Sequence, residues 1–227
     1  MNEEIYNIKL IKDNCKHASF ELNSKNPSFY RIAKECHHAL YRAMIETLKG
    51  TANLQITYER KCKRSHTHQY KLGDNPWLEI RKETIIGCKT AWRFSEPKEC
   101  EEPAIKSRTW DLVTSKQFLI NFFEALAMVQ TECFMSNYIF SNKIEITDIE
   151  MKDLEWLHLT IRNTFEHYIP MTFVIGKTKL QEVSFLSLRL TRELLFESKN
   201  TMGRYPTAIL LKKIVKLEED IRNFSFE

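Results

Sequence analysis

The string Arg162-Asn163-Thr164-Phe165-Glu166-His167 lies at the end of an amphipathic run and just before Pro170. Arg162 supplies a permanent cation whose planar fork of donors matches phosphate oxygens. His167 supplies an imidazole that titrates near neutrality and can take or give a proton. Asn163 stands one helical turn before His167, where its amide can hold the ring in one tautomer. A fixed charge, a proton-transfer group and an orienting amide are the parts a metal-free phosphodiester-cleaving site needs.

The element that must position them reads as a helix over about 149–168, with Thr147 or Asp148 as its cap. Met151, Leu154, Leu157, Ile161, Phe165 and Tyr168 fall on one stripe, which faces the core. Asn163 and His167 lie roughly opposite it, and Trp156 projects the same way. A tryptophan pointing away from a core calls for a partner surface, such as a second subunit. On an ideal helix Arg162 and His167 are about 140° apart, so they converge only by helix distortion or from two copies. Spacing alone is met more simply by an exposed ion-pair ladder of Glu155, Arg162 and Glu166.

Further elements surround this one. Asn26-Pro27-Ser28 reads as a helix start and Gly50 as a stop, giving a long helix over about 28–49. Residues 1–25 are mixed and take no clear assignment. Leu54 to Tyr58 alternates like a strand. Gly73-Asp74-Asn75-Pro76 marks a turn, and prolines punctuate the charged stretch 96–103. Residues of about 51–110 therefore form an insertion, partly irregular or short-β. A helical pattern returns near Ser115 and runs through Phe118, Leu119, Phe122, Phe123, Leu126, Val129 and Phe134, apolar on more than one face and hence central. Two more helices are expected over about 179–198 and 206–223. The expectation is an all-α bundle in one domain, 1–227, carrying that insertion.

With 227 residues, 43% hydrophobic and 28% charged, the chain can bury a core without covalent staples. Only 5 glycines are present, and no phosphate-binding glycine loop or dinucleotide fingerprint occurs. The net charge of +4 is compatible with a nucleic-acid partner. The six cysteines are scattered without a Cys-x-x-Cys pair and read as free thiols in a reducing compartment. Met1-Asn2-Glu3-Glu4 lacks an apolar signal core, and no apolar run approaches the roughly 18–20 residues of a membrane span. A cytoplasmic protein without a membrane segment is expected.

Arg162-Asn163-x-x-x-His167 resembles the signature of the HEPN superfamily, an arginine, four to six intervening residues and then a histidine, often with Asn, Asp or His directly after the arginine. The layout is similar too: an amphipathic helix into the motif, a short connection, then a closing helix. The likeness covers roughly 28–50 and 115–198. The strings around Ala39–Glu46 and Arg162–Pro170 resemble an uncharacterised bacterial and plasmid-borne branch. The resemblance implies a metal-independent, cofactor-free endoribonuclease acting as a homodimer on RNA. It implies a defence, toxin or stress role, with an antitoxin or effector partner. It makes His167 the general acid/base, Arg162 the stabiliser of phosphorane charge, and Asn163 the residue that orients His167 or contacts RNA. A toxin branch carries a modified tyrosine two residues after the histidine; here Ile169 holds that place and Tyr168 precedes it, so that chemistry is not carried over.

Other residues admit two readings. The basic stretch Arg60, Lys61, Lys63 and Arg64, continuing to Lys71, suits an RNA backbone or a solvated loop equally. Cys62-x3-His66-x-His68 lacks a fourth ligand at suitable spacing, so no metal is expected. His37, His38 and Arg42 read as surface or packed polar groups, with lining of a cleft by His37 or Arg42 as the alternative. His158 reads as packing. Trp77, Trp92 and Trp110 are expected to pack the insertion. Against the enzyme stand a non-catalytic module of the same fold binding RNA, nucleotide or protein, and an interaction protein docking on an acidic partner.

Overall fold

The computed structural model describes residues 7–49, 56–59, 65–69, 82–86, 117–160, 175–201 and 207–226. The fold is all-α, with six α-helices and four short strands among the described residues. The chain divides into two compact units, Met1–Leu48 with Met128–Glu227, and Lys49–Ala127. The insertion expected over about 51–110 falls inside the second unit.

In the first unit, α1 (Asn7–Leu22) and α2 (Phe29–Leu48) form an antiparallel hairpin. Their polar contacts run in opposite chain order: Asn7 to Glu46, Asn14 to Arg42, and Glu21 to Arg31. Helix α5 (Lys177–Arg192) packs on α2, while α6 (Ala208–Arg222) packs on both α5 and α1, closing a four-helix ring. Helix α4 (Asp148–Leu159) lies against α5 and touches α2. The ring encloses Ile11, Ile32, Leu40, Met44, Leu188 and Ile214, all fully buried. Ala33, Ala39 and Ala43 on α2 are also fully buried, and such small side chains let neighbouring helices approach closely.

Helix α2 matches the span its periodicity predicts. Helix α1 does not, because residues 1–25 take no assignment from sequence. Its buried stripe is Ile8, Ile11, Cys15, Ala18 and Leu22, at alternating spacings of three and four, with Asn14 buried beside it. Small and polar members dilute the apolar signal although the period is intact.

The end of α2 is satisfied by side chains. The Thr47 carbonyl accepts from Asn200 Nδ2 at 2.9 Å and from Asn137 Nδ2 at 3.2 Å. Beyond α5, a π-helical turn spans Glu193–Glu197, and Lys199 adopts a left-handed φ of 56° where the chain leaves the helix. A C-terminal latch completes the unit. Gln181 donates to the carbonyls of Ile221 and Phe224, while Phe224 and Phe226 meet the Phe29 ring tilted and edge-on, respectively.

In the second unit, β1 (Thr57–Glu59) pairs antiparallel with β4 (Gln117–Leu119), Tyr58 opposite Phe118. Likewise β2 (Ser65–Gln69) pairs antiparallel with β3 (Lys82–Ile86), Thr67 opposite Thr84. The helix expected from Ser115 is corrected here. Residues 117–119 are strand, and α3 runs only over Phe122–Val129. Phe134 belongs to a separate 3-10 turn, Glu132–Phe134. The cause is local hydrogen bonding. Ile120 N–H donates to the Ile56 carbonyl at 2.9 Å, extending the ladder. Asn121 then caps α3 by accepting from Glu124 N–H at 3.0 Å, while the Glu124 carboxylate accepts from Asn121 N–H. An apolar run therefore changes conformation at Asn121, which hydropathy alone does not register.

Candidate functional site

Helix α4 precedes the Arg162–His167 string in the chain. Its start is set by a reciprocal capping box: Thr147 Oγ1 accepts from Glu150 N–H at 3.3 Å, and Glu150 Oε2 accepts from Thr147 N–H at 2.9 Å. The other oxygen of Glu150 accepts from Arg189 of α5 at 2.6 Å, and Arg189 also pairs with Glu193 at 3.0 Å. One carboxylate thus satisfies the helix terminus and ties it to the neighbouring helix. Midway, Asp153 pairs with Lys179 at 2.6 Å.

Met151, Leu154 and Leu157 are buried, as the core stripe requires, while Ile149 and Leu159 are exposed and Trp156 is half-buried. In the last turn His158 is buried against α2. Its Nδ1 lies 3.0 Å from Nε2 of His37, with ring centroids 5.2 Å apart and an interplanar angle of 36°. One ring donates and the other accepts, an arrangement two neutral imidazoles satisfy. Burial pushes His37 down to about 3, with further lowering from His158 and then His38. Packing is thus the role the structure gives His158, and His37 is its buried partner. Sequence carries no signal for this pair, whose members stand 121 positions apart.

Between α1 and α2, Asn14 bridges two charged groups. Its amide donates to Glu35, and its oxygen accepts from Arg42. Arg42 is therefore engaged within the hairpin and partly desolvated, which lowers its pKa against the opposing pull of Glu35. Cys15 and Cys36 are free and buried. Burial pushes the Cys15 thiol up to about 12 and the Cys36 thiol well above its ordinary value. Neither offers a thiolate nucleophile near neutral pH.

Arg162, Asn163 and His167 lie outside the described residues, as do Arg60, Lys61, Lys63 and Arg64, the tryptophans 77, 92 and 110, and the Gly73–Pro76 turn. Cys62 and the side chains of His66 and His68 lie outside them too. No helix among the described residues is long and apolar enough to cross a membrane. No protein-family model, curated protein or solved structure matches the chain.

Proposed function

We propose that this protein is a metal-independent endoribonuclease of the HEPN type, acting as a homodimer in a defence, toxin or stress role. The observation that carries the reading is the string Arg162-Asn163-x-x-x-His167 following α4 in an all-α chain. The Thr147–Glu150 cap and the Arg189 tie support it, because a reacting constellation needs a supporting element of fixed position.

In the proposed reaction the RNA 2′-oxygen bonds to the adjacent phosphorus as the bond from phosphorus to the 5′-oxygen breaks. A neutral His167 takes the 2′-hydroxyl proton, and a protonated His167 of a second copy returns one to the departing 5′-oxygen. Arg162 neutralises charge on the phosphorane oxygens, and Asn163 orients His167. The products are a 2′,3′-cyclic phosphate and a 5′-hydroxyl. The basic stretch Arg60, Lys61, Lys63 and Arg64 tracks the RNA backbone, and the Trp156 face of α4 belongs to the dimer contact.

The test is cleavage of varied RNAs by the purified protein in excess EDTA, beside Arg162→Ala and His167→Ala. Cleavage with cyclic-phosphate ends is expected to survive chelation and to fall ~10²–10⁴-fold in each variant. Variants that cleave like wild type defeat the site assignment. An intact chain that cleaves nothing but binds RNA in titration makes it a non-catalytic binding module.

A further inference from the structure

The His37–His158 contact joins α4 to α2 through polar side chains deep in the bundle, and it lies in the turn of α4 nearest in sequence to Arg162. His158 is 8% exposed and His37 is 5% exposed. A leucine pair would bury this contact at lower desolvation cost, but apolar contact is non-directional. A hydrogen bond between two rings imposes a distance and an angle. His158 stands four residues before Arg162, so whatever restrains the His158 backbone restrains the point from which the Arg162–His167 string departs.

We propose that the His37–His158 hydrogen bond is a positioning element for the Arg162–His167 string, holding the last turn of α4 in register against α2. This rests on the ribonuclease reading for its consequence in catalysis but not for its effect on structure. Neither histidine touches RNA in this assignment; each acts through the placement of Arg162. The atoms involved are specific. His37 uses Nε2, the position a glutamine amide reaches, and His158 uses Nδ1, the position an asparagine amide reaches. His37→Gln and His158→Asn therefore retain the bond, whereas His158→Gln overreaches and His158→Phe removes it.

The experiment compares full-length wild type, His158→Phe, His158→Gln, His158→Asn and Leu217→Ala, a variant at a buried residue of α6 that lowers thermal stability. In steady-state RNA cleavage, His158→Phe is expected to lose ~10²-fold in kcat with KM nearly unchanged, because sub-ångström misplacement acts on the reacting geometry. His158→Gln should resemble it, and His158→Asn should stay close to wild type. Loss of kcat in Leu217→Ala as large as in His158→Phe, or equal behaviour of the Asn and Gln variants, would overturn the proposal.

A readout that needs no activity keeps the two hypotheses apart. Amides of residues 155–160, the described end of α4, should exchange ~10-fold faster in His158→Phe than in wild type and be unaltered in Leu217→Ala. If the wild type cleaves no RNA, the ribonuclease reading alone fails and this exchange comparison decides the positioning role. Unchanged exchange in His158→Phe sinks it.

Discussion

Helices α2 and α4 belong to the same unit and are held by different means. Of the 20 residues of α2, 13 are buried, ten of them apolar, so apolar area removed from water dominates its hold beside its contacts to Asn7, Asn14 and Asn200. Of the 12 residues of α4, only Met151, Leu154, Leu157 and His158 are buried, too narrow a stripe to resist sliding or rotation. Polar contacts complete the restraint on α4: the capping box and Arg189 at its start, Lys179 at its middle and His37 at its end. Burial brings helices together without choosing a register, whereas hydrogen bonds choose a register and add little net energy. The helix that precedes the candidate string is the one that depends most on directional contacts.

The largest effect that sharpens this contrast is expected at Leu40, fully buried in the middle of α2. Leu40→Ala should cost about 2–5 kcal/mol of unfolding free energy, read from the urea midpoint at constant slope. A loss near that of a surface substitution would mean that burial does not hold α2.

A pH series isolates the polar restraint on α4. His37 is lowered from 6.5 to about 3 in the folded protein, so between those values the unfolded chain binds a proton the native one refuses. Its contribution is complete above pH 6.5 and is lost as pH falls toward 3, with a slope approaching about 1.4 kcal/mol per pH unit for one proton. His37→Gln removes the titration, so its stability should fall less steeply than that of wild type from pH 7 to pH 4.5. Parallel curves would show that the imidazole is not excluded from protonation by the fold.

The smallest effect is expected at the other end of the helix. Thr147→Ala removes the acceptor for Glu150 N–H and should cost about 1 kcal/mol in chemical denaturation. Thr147→Ser should restore most of it. A Thr147→Ala variant as stable as wild type would leave Arg189 as the effective anchor of this terminus.

Periodicity and terminal chemistry reveal much of the helical frame. The apolar repeat of α2 and the Thr147–Glu150 spacing both announce their elements, since each signal lies within a few residues of what it determines. The N-terminal helix escapes because Asn14, Cys15 and Ala18 occupy its inner face, although the spacing from Ile8 to Leu22 is regular. The strand at 117–119 escapes because its pairing partner is 60 residues away at 57–59, so the same apolar run serves strand and then helix.

By itself, the sequence determined that the chain is helical, where most helices begin, and that Arg162, Asn163 and His167 follow one of them. Those properties depend on local propensity, capping and residue type, which are written in consecutive positions. Tertiary structure alone decided that His37 meets His158, that Arg189 reaches Glu150, and that Asn200 closes the end of α2. Each of these joins positions far apart in the chain, and a hydrogen bond exists only once packing has brought donor and acceptor to about 3 Å.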